Sequence, residues 1–211
     1  MTRVLEKVER RLGEKLFLKG HRCLGPKCAY IRRGYPPGLH GNKKKGGRRR
    51  RGLSEYGELL REKQKVRYLY GLDDKDIARY SKKAASTSGV FSSNLLRMLE
   101  SRLDNAVFRL GFTESRRIAR QVVNHGHVLV NGKMASIPSF QIKKGDTIAL
   151  KEKILSSPLF SELEIKIKKY EAPQWLELDR TNKTGKVTRL PEADDAGVSA
   201  DVTKIKEFYS R

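Results

Sequence analysis

Residues 43–51 place seven lysine and arginine side chains within nine positions, in the order KKKGGRRRR. A run of like charges repels itself and cannot enter an apolar core, so it restricts every fold that this chain can adopt. We expect the run to be disordered in the free protein and to condense on a phosphate backbone. A solubilising tail or a localisation patch is the alternative, but it suits a terminus better than an internal segment.

The charge balance of the whole chain predicts the same kind of partner. The 211 residues include 46 Lys+Arg against 24 Asp+Glu, a formal net charge of +22, and residues 1–70 hold 21 and 6 of these. Such an excess predicts a nucleic acid as partner. There is no apolar run of about 18 residues, no apolar signal core and no disulfide framework. We therefore expect a cytoplasmic protein with no membrane partner.

Apolar spacing predicts helices in the first half of the chain, separated by an irregular basic segment. A short amphipathic helix is predicted over 3–16, whereas periodicity is lost over 19–52. We expect the irregular segment, rich in glycine and proline, to be an arm without a packed core that becomes ordered on RNA. Further helices are predicted over 54–70, with Ser54 as N-cap, over 73–85 and over 90–100.

Two of the predicted helices have a polar outward face. On the helix over 54–70, an apolar side opposes Arg61, Gln64, Lys65 and Tyr68. A helix over 101–110 is followed by one over 116–125, with Ser115 as its N-cap. The buried stripe of this last helix is predicted at Ile118, Ala119, Val122 and Val123, and its outward residues at Arg117, Arg120, Gln121 and Asn124.

Short strands are predicted after residue 127. Val128–Val130, an Asn131-Gly132 type I′ turn and Lys133–Met134 form a predicted hairpin, and Thr147–Leu150 a further strand. Beyond it, the pattern predicts a helix over 158–170, strands over 175–178 and 186–189 with a turn at 183–185, and a mixed-charge segment over 198–209.

Several stretches of the sequence resemble a known family. LESRLDNAVFRLGFTESRRIARQVV at 99–123, followed by HGHVLVNG at 125–132, is similar to an S-four-type RNA-binding domain. The flanking motifs PPGLHG (36–41), LSEYG (53–57), LREKQKVRYLYG (60–71) and EFYSR (207–211) resemble the bacterial-type small-subunit ribosomal protein S-four family. The resemblance covers essentially the whole chain.

The resemblance implies an α+β fold in three parts. These are an extended basic N-terminal arm at 1–46, an all-helical domain at 47–98 that is completed by 172–211, and an inserted S-four α/β module at 99–171, with two helices and a small antiparallel sheet. It further implies primary binding to a junction in the 5′ domain of 16S rRNA, nucleation of small-subunit assembly, and contacts with the S-five protein and other small-subunit components.

The family resemblance also places basic residues after the PPGLHG motif in the mRNA entry channel, with a contribution to translational accuracy. These positions match Lys43–Lys45 and Arg48–Arg51, in a segment that this chain lengthens. The guanidinium group of arginine can donate two parallel hydrogen bonds to a backbone phosphate, and polar side chains can hydrogen-bond sugar and base edges. The predicted RNA-binding residues are Arg22, Arg32, Arg33, Tyr35, His40, Lys43, Lys44, Lys45, Arg48, Arg49, Arg50, Arg51, Arg61, Lys65, Tyr68, Arg102, Arg109, Ser115, Arg116, Arg117, Arg120, Gln121, Asn124, His125 and Lys133.

Cys23 and Cys28 have the spacing of half a zinc site. Many family members supply a second cysteine pair near the N-terminus, where the resemblance aligns Glu6 and Glu9 of this chain. We therefore expect no cofactor and two reduced thiols, although His21 and His40 are an alternative source of two further ligands.

No motif for catalysis is present, since the chain lacks a complete phosphate-binding loop, an HExxH motif and a GxSxG motif. We therefore expect a structural ribosomal protein on the small subunit and not an enzyme. A free RNA-binding regulator of translation remains the alternative function.

Overall fold

The computed structural model of the chain describes residues 5–39, 41 and 52–210. The predictions for His40, for Lys43–Lys45 and for Arg48–Arg51 lie outside these residues. The account that follows concerns the described residues alone.

Residues 5–39 form a small packed segment, although an arm without a packed core is predicted over 19–52. Helix α1 (Leu5–Leu12) is shorter than the predicted helix over 3–16, because Gly13 takes a φ of 70° and ends it. A 3₁₀ turn (Gly20–Cys23) and the short α2 (Ala29–Arg32) follow. The buried apolar residues of this segment are Val8, Leu16, Leu18, Cys23 and Cys28.

The central helices begin close to where the sequence predicts them. They are α3 (Glu55–Leu69), α4 (Asp74–Ser86), α5 (Phe91–Glu100), α6 (Leu103–Arg109) and α7 (Arg116–Asn124). Both predicted N-caps are confirmed: Ser54 Oγ accepts a hydrogen bond from the Gly57 N–H at 3.2 Å, and Ser115 Oγ one from the Ile118 N–H at 3.4 Å. Each hydroxyl satisfies a backbone donor that has no partner within its helix.

One antiparallel sheet contains all five described strands, in the order β2-β1-β3-β5-β4. The strands are β1 (Val128–Val130), β2 (Lys133–Ala135), β3 (Thr147–Leu150), β4 (Leu176–Asp179) and β5 (Thr184–Val187). The Asn131-Gly132 turn is confirmed, since both residues have the positive φ (50° and 76°) that a type I′ turn requires. The predicted α+β fold class is confirmed.

The second predicted hairpin is displaced along the chain. The turn occupies 180–183 and not 183–185, so Gly185 lies within β5. The Asp179 carboxylate closes this turn by accepting hydrogen bonds from two backbone N–H groups that follow it. Gly185 serves close packing instead, because a Cβ atom there would lie 2.3 Å from Leu110 Cδ2.

The remaining helices are shorter than predicted, because the predicted helix over 158–170 is divided. It becomes a 3₁₀ turn (Pro158–Phe160) and α9 (Leu163–Lys169), after the short α8 (Glu152–Leu155). A third 3₁₀ turn covers Asp194–Ala196, and α10 (Thr203–Ser210) lies within the predicted mixed-charge segment. No described helix has the length and apolarity needed to cross a membrane.

The chain divides into two compact units. One unit takes in the chain up to Ile77 and the segment from Ala200 on, and the other spans Ala78–Ser199. The main apolar core lies in the second unit, where residues of α6, α7 and α9 pack with the sheet. β4 and β5, which follow residue 172, also belong to this sheet.

Candidate nucleic-acid interface

Helix α7 has one buried and one exposed face, as its sequence predicts. Ala119, Val122 and Val123 are buried in the core of the second unit. Arg120 is half-buried, and the exposed residues of this region are Arg117, Gln121, Asn124 and His125. We call Arg117, Arg120, Gln121, Asn124 and His125 the α7 face. Because its helix is capped and packed, this face presents cationic and polar groups from a fixed backbone.

The β1–β2 hairpin adds further cations to the same unit. Lys133 is exposed directly after the Asn131-Gly132 turn. The Asn131 amide links this turn to the start of β3. It donates to Asp146 Oδ1 and accepts from the Thr147 N–H, both at 2.8 Å. The sequence analysis missed Lys143 and Lys144, which are exposed in the segment just before β3. Lys144 begins the lysine-glycine-aspartate turn of that segment.

The structure corrects the prediction for Arg102, which is buried with 2 % of its surface exposed. Its guanidinium donates to Asp104 Oδ1 at 3.0 Å and Oδ2 at 2.6 Å, and to the Tyr80 hydroxyl at 2.9 Å. Burial alone would lower the pKa of Arg102, but the hydrogen bonds and charge of Asp104 outweigh it and raise the pKa. We remove Arg102 from the RNA-binding set, since its donors are used inside the protein.

Arg109 and Arg116 are also committed to an internal carboxylate. Glu100 is fully buried and accepts two hydrogen bonds from Arg109, each at 2.9 Å, and one from Asn105 at 2.8 Å. Arg116 Nη2 lies 3.8 Å from the same carboxylate, and its Nε donates to Asn105 Oδ1 at 2.7 Å. These two arginines, predicted to fork onto phosphates, instead join α5, α6 and the start of α7.

Two further predicted contacts have structural roles. Ser115 is buried and its hydroxyl caps α7. Lys65 is buried, with its ammonium 2.5 Å from Glu14 Oε2 and 2.8 Å from Glu62 Oε1. Burial alone would lower the pKa of Lys65, but the hydrogen bonds to both carboxylates outweigh it and raise the pKa. We remove both residues from the RNA-binding set.

The other predicted residues of the first unit lie at or near the surface. Arg32 and Arg33 are exposed, and Arg22 is exposed while paired with Glu6 at 2.9 Å. Arg61, Tyr35 and Tyr68 are half-buried. The sequence analysis missed Arg10, whose Nε donates to the carbonyls of Arg33 (2.9 Å) and Tyr35 (3.0 Å) and thereby positions their turn.

The described residues do not fit a structural zinc site. Cys23 and Cys28 are fully buried, and burial raises the pKa of the Cys23 thiol. The Glu9 carboxylate accepts the backbone N–H groups of Leu16 and Leu18, and Glu6 pairs with Arg22. In residues 5–39, 41 and 52–210, no three His, Cys, Asp or Glu side chains are grouped to hold a metal.

Comparison with known proteins identifies the class to which this fold belongs. The family model for the S4 domain matches residues 101–148, which carry α6, α7, β1, β2 and the start of β3. The model for the Ribosomal protein S4/S9 N-terminal domain matches residues 2–100. An S4 domain that follows this N-terminal domain defines a ribosomal-protein class, and its members are not enzymes.

Curated relatives define the family more closely. Proteins named small ribosomal subunit protein uS4 from Acetivibrio thermocellus, Natranaerobius thermophilus and Thermus thermophilus are 49 %, 46 % and 45 % identical to this chain. Each match covers 96 % of this chain and 94 % of the relative. The chain belongs to the small ribosomal subunit protein uS4 family. The family resemblance and the prediction of a non-enzymatic protein are thereby confirmed.

Proposed function

We propose that this protein is a structural component of the small ribosomal subunit that binds 16S rRNA at a junction in the 5′ domain and helps to nucleate assembly. The α7 face is the observation that carries the proposal, because it holds cations and amides on a packed, capped helix. A rigid basic surface suits RNA junctions, which display 2′-hydroxyls, phosphates and splayed bases.

The exposed residues divide into two chemical roles. The exposed Arg117 and Lys133 and the half-buried Arg120 supply charge for backbone phosphates, and the exposed Gln121 and Asn124 supply amides for sugar and base edges. His125 follows the last residue of α7 and is exposed, so its ring nitrogens are available to a sugar or base edge. Phosphate contacts supply most of the affinity, so we expect binding to depend strongly on salt.

The proposal extends to two further partners. Seven cations within residues 43–51 support a contact with mRNA at the entry channel, and with it a contribution to translational accuracy. The family resemblance supports a contact with the S-five protein.

We also propose that the protein holds no metal. The buried thiols, the carboxylates already engaged by Arg22 and by backbone N–H groups, and the lack of a ligand cluster in the described residues support this. Metal analysis of purified protein is expected to find no stoichiometric zinc, and one zinc per chain would overturn this part of the proposal.

The test is a filter-binding titration against a 16S 5′-domain transcript at several salt concentrations, with a scrambled RNA as competitor. We expect tight binding that survives the competitor. Arg120→Ala is expected to lower the slope of log affinity against log salt by roughly one, and the exposed Lys168→Ala on α9 serves as a matched control with an unchanged slope. Equal affinity for both RNAs would contradict the proposal.

A further inference from the structure

A cavity of about 620 Å³ lies between α1 and α3 in the first unit. This volume falls in the range of about 300–1,000 Å³ that is typical of small-ligand sites. Its lining includes Lys7 and Arg11 from α1 and Gln64, Arg67 and Tyr68 from α3, and no acidic side chain among the described residues. We call this cavity the α1–α3 cleft.

The α1 wall of the cleft carries two exposed cations. Lys7 and Arg11 are one helical turn apart, so their side chains lie on the same side of α1. Both are exposed, and neither forms an ion pair or hydrogen bond with another described residue. Two neighbouring cations without a carboxylate partner attract a phosphate group.

The α3 wall holds an aromatic ring in a fixed position. The Arg67 guanidinium is anchored by Asp74 Oδ2 at 2.8 Å and by the Leu72 carbonyl at 3.2 Å. It lies over the Tyr68 ring, 5.3 Å from the centroid. A cation above an aromatic face restrains the ring, so Tyr68 is prepared for a planar partner before any ligand arrives.

The same arginine orients an amide at the cleft. Arg67 Nη1 donates to Gln64 Oε1 at 3.1 Å, which directs the acceptor of this amide toward the guanidinium. The Gln64 NH₂ group therefore keeps both donors for another partner at the cleft. The site thus combines a phosphate contact, an aromatic ring and a hydrogen-bond donor, the three features that a nucleotide requires.

We propose that the α1–α3 cleft binds one unstacked nucleotide of RNA. The phosphate lies between Lys7 and Arg11, the base lies against the Tyr68 ring, and an acceptor on the base edge receives a hydrogen bond from the Gln64 NH₂ group. This inference rests on the proposed function, because RNA supplies the nucleotide. It adds a second contact surface, in the first unit, that reads an extruded base and not only the phosphate backbone.

The test uses the full chain and the 16S 5′-domain transcript, with separate variants for the ring and for the charges. Tyr68→Leu is expected to weaken binding about tenfold, the loss typical of one base–aromatic stack, and to leave the salt slope unchanged. Lys7→Gln combined with Arg11→Gln is expected to lower the slope by about 0.7, since the two cations together neutralise one phosphate of a single strand. The exposed pair Lys168→Gln and Lys169→Gln is the matched control, with no expected change.

The outcomes separate this inference from the proposed function. If the wild-type protein binds the transcript and both cleft variants bind it equally well, the cleft is overturned and the proposed function stands. If the charge variant loses slope while Tyr68→Leu binds normally, the cleft contacts phosphate alone and the unstacked nucleotide is overturned. Failure of the wild-type protein to bind would overturn both. A free nucleoside monophosphate that binds more tightly than the transcript would overturn RNA as the source. Circular dichroism verifies that each variant is folded.

Discussion

Arg116 and Arg117 are adjacent in the sequence and have opposite surroundings in the structure. Arg116 is largely buried, bonded to Asn105, near Glu100, and packed over the Phe108 ring at 4.5 Å. Arg117 is exposed on the α7 face. A rotation of about 100° along the helix separates an arginine that holds the protein together from one that is available to RNA.

The same contrast extends to the whole second unit. Arg102 and Arg109 are held by Asp104 and Glu100, whereas Arg117 on the α7 face is exposed. Formal charge therefore overstates the charge that a nucleic acid encounters. Only positions without an internal carboxylate contribute fully to attraction at the surface.

The largest expected effect follows from removing the carboxylate that two arginines share. Glu100→Gln leaves Arg109 and Arg116 without their buried counter-charge, and we expect a loss of about 3–5 kcal/mol in the free energy of unfolding. Urea denaturation with linear extrapolation measures this loss. Glu114→Gln is the matched control, because Glu114 pairs with Lys166 at a partly exposed site and should cost about 1 kcal/mol at most. Equal losses in the two variants would contradict the comparison.

A second variant tests whether a buried arginine contributes to RNA binding. Arg102→Met leaves Asp104 buried without its ion-pair partner, and we expect a loss of about 3 kcal/mol in the free energy of unfolding. The salt slope of RNA binding should not change at temperatures where the variant remains folded. A slope lowered by one unit would return Arg102 to the RNA-binding set.

Local features of this fold could be predicted from the sequence. Ser54, Ser115 and the Asn131-Gly132 turn act through neighbours within a few residues, so their roles can be inferred from spacing alone. The outward residues of α7 could be inferred for the same reason.

Features that depend on distant contacts could not be predicted. Gly185 resembles a turn glycine, but its role is set by Leu110, which approaches it from another element. The sequence gives no sign that Glu100 is buried between Arg109 and Arg116, since a carboxylate near arginines is equally compatible with a solvated helix face. The membership of β4 and β5 in one sheet with β1 likewise depends on pairing across the intervening α8 and α9.

For the exposed Arg117 we expect the reverse of the buried arginines, that is, a change in RNA binding with little change in stability. Arg117→Gln is expected to lower the salt slope of RNA binding by roughly one and to change the free energy of unfolding by less than about 0.5 kcal/mol. Filter binding and urea denaturation on the same protein preparation measure the two quantities. A large loss of stability with an unchanged slope would place Arg117 among the structural arginines.

The last expected effect concerns a partly exposed ion pair in the second unit, between Arg189 and Asp195. Arg189 donates to both Asp195 oxygens, at 2.7 and 2.9 Å. Burial alone would raise the pKa of Asp195, but hydrogen bonds from Arg189 and from the Glu192 N–H hold it below the ordinary 3.8. Because the pKa is lowered on folding, Asp195 stabilises the protein above about pH 3.8, and this contribution is lost as the pH falls through the folded-state pKa.

Asp195→Asn should therefore cost about 1 kcal/mol or less at neutral pH, since Arg189 is partly screened by solvent. The difference from wild type should shrink below pH 3.8. Urea denaturation at several pH values measures it, and a difference that grows on acidification would contradict the assignment.

Because α10 packs on α3, the first unit cannot be completed until α10 has been synthesised. Lys204 pairs with Glu58 at 3.2 Å, the Asp201 N–H donates to Glu62, and the Phe208 and Tyr56 rings lie 5.7 Å apart. At about 5–20 residues per second, the stretch between α3 and α10 takes on the order of ten seconds to synthesise. During translation, every segment of the second unit has therefore emerged before the first unit receives its last helix, so the N-terminal unit is the later of the two to be completed.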